Sequence, residues 1–268
     1  MVARARPFEF TLSTAAAREE SERELLFPET RGTTLDLTAF VSCYNEVDFI
    51  EQTLEDIRVA LRELGLASEI IVIDDGSSDR SAELVRRYIA EHPEDRIILR
   101  RNLVNRGLAQ NYIDAAFLGR GRYYKLFWGD NTEPRHSIVQ ICSQAGKADI
   151  IVPRYVSVAG KSAFRKWLSG AYTALVNLVS GNRLAYYNGL ALHLRYNIMR
   201  WHPNTRGFGF QADIICMLLD QGGTYMEIEV EAINRAQSRA LTVKNVLSVG
   251  HTLLDIVIRR VANAIYRR

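Results

Sequence analysis

No stretch of this 268-residue chain reaches the roughly 18 continuous apolar residues that a membrane-spanning helix requires. The N-terminus also lacks the apolar core of a secretion signal, so the sequence predicts a domain that is soluble or lies on a surface. Cysteine is scarce. Cys43, Cys142 and Cys216 are odd in number, far apart and without metal-ligand spacing, which points to a reducing cytoplasm. The histidines show no ligand spacing either. A net charge of +3, with basic residues dispersed until the C-terminal end, argues against nucleic acid as a partner. There are no internal repeats and no low-complexity segments. What is present is globular: 47% hydrophobic and 24% charged residues, enough to bury a full core as one large or two small domains.

The chain is organised around Glu69-Ile70-Ile71-Val72-Ile73-Asp74-Asp75-Gly76-Ser77-Ser78-Asp79. Four consecutive aliphatic residues suit a strand covered on both faces by helices. Its C-terminal end presents Asp74 and Asp75, then Gly76 for a tight turn and Ser78 or Asp79 to cap the next helix. Ligands of parallel sheets bind beyond the strand C-termini, so these acids mark a candidate binding edge. The plainer alternative is a turn whose acids only cap a helix.

The flanking segments decide between the two. Residues 37–43 read as a strand, and Ile50, Leu54, Ile57, Leu61 and Leu64 recur at helical spacing before Gly65. A second helix ends at His92-Pro93, and residues 96–99 form another strand, so strand and helix alternate as in a doubly wound α/β sheet. After the Asn105-Arg106-Gly107 loop and an Ala-rich helix, the strand at 123–128 stops at Gly129-Asp130, and Pro134 opens another helix. A second acid is thereby placed at the same edge. Further on come a strand at 149–153, a helix at 161–180, an Asn188-Gly189 turn, a helix at 212–219 and a strand at 225–230. The last helix, about 243–266, carries an apolar face with Leu254, Val257, Val261 and Ile265. Arg259, Arg260, Arg267 and Arg268 crowd its end, the composition of an interfacial helix on anionic lipid. An ordinary C-terminal helix, its arginines favoured by the dipole, is the alternative.

These pieces resemble the family 2 glycosyltransferases, inverting enzymes of the GT-A fold that use nucleotide-activated sugars. The resemblance rests on Val41-Ser42-Cys43-Tyr44-Asn45-Glu46, on Val72 to Asp79, on Asn105-Arg106-Gly107 and on Gly129-Asp130, in register over residues 37–150. Beyond 150, Pro153-Arg154-Tyr155-Val156, Asn188-Gly189, Gly207-Phe208-Gly209-Phe210-Gln211 and Ser238-Arg239 are similar to the polyprenyl-phosphate branch, near the dolichol-phosphate mannose synthases. The implied fold is α/β, a Rossmann-like, mostly parallel sheet with helices on both faces and a C-terminal amphipathic helix. The implied organisation is an N-terminal extension at 1–35, a GT-A domain at 36–240 and the interfacial helix at 241–268. Within the domain, 36–150 is the nucleotide-sugar half and 151–240 the acceptor half.

The resemblance also implies roles. Cys43, Tyr44, Glu46, Asp74, Asp75, Asn105, Gly107 and Gly129 would surround the nucleotide, with Tyr44 flanking the base, Asp75 accepting from its ring N–H, and Asp74 ordering the turn or reaching the ribose. Asp130 would be catalytic through a Mg²⁺ or Mn²⁺ ion that neutralises the departing diphosphate of a GDP- or UDP-sugar. The family's metal motif has two acids separated by one residue. Here Trp128 occupies the first position and leaves Asp130 to hold the ion with phosphate oxygens and water. Arg235 and Arg239 would close over the diphosphate. Arg154, Asn188 and Gln211 would face the acceptor. A polyprenyl phosphate, already an anion, would need no base and would be steered by Arg154, which is otherwise a surface ion pair. A saccharide hydroxyl would need one, and Asp213 or Glu133 is the candidate, although Asp213 also reads as a helix-start acid. The expected enzyme is peripheral on the cytoplasmic face of the membrane and serves the cell envelope. A non-catalytic nucleotide-sugar binder is the alternative from another class.

Overall fold

The aliphatic run at residues 70–73 is buried on both faces, as the centre of a parallel sheet demands. A computed structural model of the chain describes residues 35–158, 163–201, 209–233 and 243–266. The expected N-terminal extension, Arg235, Arg239, Arg267 and Arg268 lie outside the described residues, as do Gly207, Phe208 and Ser238. The elements run β1 (Leu35–Cys43), α1 (Ile50–Glu63), β2 (Ser68–Asp74), α2 (Ser81–Glu91), β3 (Ile97–Arg101), α3 (Leu108–Leu118), β4 (Gly121–Trp128) and α4 (Arg135–Cys142). There follow β5 (Ile150–Val158), α5 (Ala163–Ser180), β6 (Leu192–Leu194), α6 (Arg195–Met199), α7 (Phe210–Asp220), β7 (Tyr225–Ala232) and α8 (Val243–Tyr266).

Seven strands form one sheet in the order β3-β2-β1-β4-β6-β5-β7. Only β6 runs antiparallel to its neighbours. Strand alternation divides the core in two. Ile70 and Val72 pack with Leu54 and Ile57 of α1 and Val85 of α2, whereas Ile71 and Ile73 pack on the other face with Tyr112 and Ala116 of α3 and Ile215 of α7. Each such large aliphatic side chain contributes about 1.5–3 kcal/mol on burial. Because β1 to β5 and β7 are mutually parallel apart from β6, their C-terminal ends share one edge.

Three features differ from the sequence expectations. Strand β5 continues past residue 153 to Val158, because β7 pairs with it along that length and a register shift at Tyr155 to Ser157 bends it. Strand β6 and helix α6 were not foreseen; three and five residues are too short to show a period. The third feature is α8. Its apolar stripe of Leu254, Ile258, Val261 and Ile265 faces outward, each residue 54–61% exposed, while Thr252 and Ile256 are buried. Two of the arginines expected to meet lipid turn inward instead, Arg259 to Asp213 at 2.7 Å and Arg260 to Asp220 at 2.9 Å. Ion pairing inside the fold has claimed those charges. Among the described residues, no helix is long and apolar enough to cross a membrane.

Candidate active site

Strand β1 is the anchor of the site because the turns on both sides are tied to its last residues. The Asp75 N–H donates to the Cys43 carbonyl at 2.8 Å, and the Gly129 N–H donates to the Ser42 carbonyl at 2.9 Å. The turns after β1, β2 and β4, carrying Tyr44 and Glu46, Asp75, and Asp130, are thereby held side by side. Gly129 is required by this closeness: a Cβ there would lie 2.7 Å from the Ser42 carbonyl oxygen and 3.0 Å from Glu46 Cγ. The turn after β1 is fastened to the start of α2. Asn45 N–H donates to Ser77 Oγ at 2.9 Å, Glu46 N–H to Ser81 Oγ at 2.9 Å and Val47 N–H to Asp79 Oδ2 at 3.2 Å. Asp79 also accepts from the Ser81 N–H at 2.9 Å, and so closes the helix start although α2 formally begins after Arg80.

Asp75 is buried and accepts from Asn102 Nδ2 at 2.8 Å, from the Arg106 N–H at 2.8 Å and from the Gly107 N–H at 2.9 Å. Its carboxylate thus shapes the 105–107 loop and brings Asn105 and Gly107 to the same edge. Of its two expected roles, Asp74 takes that of ordering the turn: it is fully buried, accepting from the Ser77 N–H at 3.0 Å and from Arg101 Nε at 3.1 Å. The Cys43 thiol is turned away from the edge, packed in the α1-side core, where burial pushes its pKa up to about 12. Tyr44, by contrast, is 51% exposed and presents a ring face at the edge.

Glu46 is half-buried, and burial followed by the negative charge of Asp130 raises its pKa from 4.5 to about 7. Two carboxylates therefore crowd the end of β4. Among the described residues no group of three or more His, Cys, Asp or Glu could hold a metal alone. A hard divalent ion that takes most of its ligands from a diphosphate fits what is present, Asp130 with Glu46 beside it. Trp128 packs partly buried against the α3-side core and contributes no oxygen. In the metal-free protein the raised Glu46 pKa has a definite sign. Stability from the bound proton is complete below about pH 4.5 and is lost as pH rises through 7. The melting temperature without metal is expected to fall across that window, and Glu46→Gln should flatten the fall in a pH series of thermal melts. An unchanged slope would remove the Glu46–Asp130 repulsion from the account.

A cavity of about 490 Å³ flanks the Asp130 turn, lined by Asp48, Gln52, Asp56, Asn131, Arg135 and Ile233 among others. Asn131, at φ 51°, donates Nδ2 to Asp56 at 3.0 Å, and Arg135 pairs with Asp56 at 3.0 Å. Sequence reasoning missed this cluster. Its one signal was the turn-forming Gly129-Asp130-Asn131.

In the second half, Arg154 of β5 pairs across the strands with Glu229 of β7 and is partly exposed. Gly189 packs so closely on β5 that a Cβ would lie 2.0 Å from the Pro153 carbonyl oxygen, so the exposed Asn188 before it lies next to this stretch of β5. Gln211 and Asp213 are not with them. Gln211 is buried between Tyr112 and His193, too deep to touch an acceptor. Asp213 accepts from Trp201 Nε1 at 2.7 Å and from Arg259 at 2.7 Å, and so latches α8 to α7, an ion-paired place that speaks against the general-base role. Glu133 is also buried, in an ion pair with Lys125 at 2.9 Å.

An α/β sheet whose parallel strands deliver an exposed tyrosine and two acids to one edge has the architecture of the GT-A glycosyltransferases. The sequence model of Glycosyl transferase family 2 matches residues 38–204, and the chain belongs to that family. An undecaprenyl-phosphate 4-deoxy-4-formamido-L-arabinose transferase of Pectobacterium carotovorum is 30% identical over 166 residues, 61% of this chain and 50% of that protein. The enzyme of the same name from Pseudomonas aeruginosa is 31% identical over 165 residues, 59% of this chain and 44% of that protein. The chain thus spans about half the length of the curated relatives it matches. Among solved structures, a mannosyltransferase of Pyrobaculum calidifontis in complex with GDP-Man and Mn²⁺ shares the fold at TM-score 0.58 and 18% identity, over 83% of this chain and 63% of that one. Glucosyl-3-phosphoglycerate synthase of Mycobacterium tuberculosis, in complex with Mn²⁺, UDP and phosphoglyceric acid, does so at TM-score 0.64 and 16% identity, over 83% and 78%.

Proposed function

We propose that this chain is an inverting, metal-dependent glycosyltransferase that moves a sugar from a nucleotide-sugar donor to a polyprenyl phosphate. The observation that carries the reading is the joining of Tyr44, Asp75 and Asp130 at one edge by the two hydrogen bonds to the end of β1. Tyr44 offers the base a stacking face. The Asp75 carboxylate, a charge-assisted acceptor, meets the base edge while it holds the 105–107 loop. Asp130, with Glu46 beside it, would hold Mg²⁺ or Mn²⁺, whose charge would offset that of a nucleoside diphosphate leaving group.

On the acceptor side, both bases that the sequence offered are consumed in ion pairs, Asp213 with Arg259 and Glu133 with Lys125. An acceptor that is already anionic needs neither. That favours a lipid phosphate, steered by Arg154 of β5, over a saccharide hydroxyl, and it agrees with the undecaprenyl-phosphate transferases among the relatives. Thermal melts with GDP, UDP, dTDP and CDP test the donor site. The matching nucleotide with Mn²⁺, at about 100 times its Kd, should add about 2.7 kcal/mol of stability, and no stabilisation by any of the four would sink the reading.

The outward stripe of α8 supplies a surface for the membrane that carries such an acceptor. Leu254, Ile258, Val261 and Ile265 lie along one face, and Phe164, Trp167 and Leu178 are exposed on the neighbouring α5. Buried thiols and an undecaprenyl-type acceptor fit attachment at the cytoplasmic face. Leu254→Glu with Ile258→Glu should release the protein from sedimenting vesicles of anionic phospholipid while its melting temperature stays near that of the wild type. Undiminished co-sedimentation would remove the membrane role.

A further inference from the structure

The buried charges at the seam between the two halves of the sheet take no part in the donor and acceptor roles above. Lys125 lies in the middle of β4 with its side chain wholly buried, and Nζ donates to Glu133 Oε1 at 3.0 Å and to the Leu190 carbonyl at 2.9 Å. Its ammonium also stands 4.6 Å from the centroid of the Phe127 ring. Tyr155 of β5 donates its hydroxyl to the same Glu133 oxygen. Strand β6 explains why polar groups are needed here. It bridges β4 and β5 only as far as Lys125 and Ile151, so beyond those residues, toward the binding edge, no ladder joins the two strands. The cluster fills that wedge.

Stability alone is a poor reason for it. Desolvating two charges about cancels their attraction, and an apolar pair of similar volume is often as stable or more so. What an ion pair with hydrogen bonds supplies is direction. Glu133 sits three residues after Asp130 in the same turn, whose other members are also held: Thr132 by the Ile233 N–H at 2.8 Å and Asn131 by Asp56 at 3.0 Å. With Trp128 in place of an acid and Glu133 buried, Asp130 is the carboxylate this turn delivers to the edge, so its placement depends on these restraints.

We infer that Lys125, Glu133 and Tyr155 are positioning residues that fix the Asp130 turn against β5, setting the register between the donor-binding strands and the strand that carries Arg154. This role rests on the donor-site reading. The test is Mn²⁺ quenching of tryptophan emission, which Trp128 reports from beside the turn, in the presence of GDP or UDP. The double variant Lys125→Met with Glu133→Leu replaces the charges by apolar groups of similar length and leaves no unpaired charge, so it should stay folded, melting a few degrees below the wild type because the Tyr155 hydroxyl and the Leu190 carbonyl lose their partners. It should need about tenfold more Mn²⁺ for half-quenching, the loss typical of removing a group that orients a metal ligand. Tyr155→Phe removes one hydroxyl and should shift the titration in the same direction by less; if the double variant does not fold, this variant decides alone. Titrations within twofold of wild type in the folded variants would overturn the positioning role. A wild-type chain that shows no Mn²⁺-dependent quenching with either nucleotide would instead overturn the donor site itself, and the positioning role with it.

Discussion

Asp130→Ala is expected to lower metal-dependent turnover of the matching sugar nucleotide by on the order of 10²–10³-fold, since a bound metal supplies several kcal/mol of charge stabilisation at the leaving group. The size of the effect follows from the shape of the turn. Trp128 is packed toward the α3-side core, so no second carboxylate of the motif remains to hold the ion once Asp130 is gone, and Glu46 stands across the gap on another segment. The loss should not be one of folding. Asp130 is only partly buried, whereas the turn's shape is set by the Gly129 N–H, by Thr132 and by Asn131. Donor hydrolysis and transfer assayed across a Mn²⁺ series, with a thermal melt of each sample, separate the two. A variant that melts like the wild type and keeps a third or more of its metal-dependent rate would show that the cation sits elsewhere.

The second large effect concerns Asp213 and bears on stability. Asp213→Ala leaves the Trp201 indole N–H without its acceptor and removes the shortest partner of the Arg259 guanidinium, which keeps the Asp213 carbonyl at 3.3 Å and Asp220 at 3.6 Å. The loss is expected to cost about 2 kcal/mol, which corresponds to a fall of roughly 4–8 °C in melting temperature for a domain of this size. The conservative Asp213→Asn keeps an oxygen for the indole and should fall less, with turnover preserved at temperatures where it is folded. A general base would behave in the opposite way. Asp213→Asn that melts like the wild type but is inactive would establish the catalytic role.

The donor half was readable because its signals are local. Residues 70–73 declare a buried strand by composition, the helix at 50–63 declares itself by spacing, and Gly76, Gly107 and Gly129 mark turns at the ends of strands that the alternation of strand and helix makes parallel. Position along the chain then fixes position at the edge, so Tyr44, Asp75 and Asp130 could be placed together without coordinates. What could not be read is the choice of partner across long separations. Asp213 and Arg259 are 46 residues apart, Lys125 and Leu190 are 65 apart, and nothing in either neighbourhood announces the other. For the same reason the exposed face of α8 was misjudged in its charges: amphipathic spacing identifies a stripe, but which side meets the protein depends on whether acids wait beneath the arginines. Asp74 shows the converse limit, for two adjacent aspartates look alike in sequence, and strand geometry sends one inward to Ser77 and Arg101 and the other toward the loop.

The latch between α7 and α8 has a practical result for anyone wishing to study the catalytic portion by itself. Clipping the polypeptide ahead of residue 243 would strip two acids of their guanidinium counterparts and uncover Ile256's socket, so the shortened product would mix a folding defect with any change in the proposed lipid attachment. Surface substitutions along the greasy stripe leave that fastening whole, which makes them the cleaner instrument.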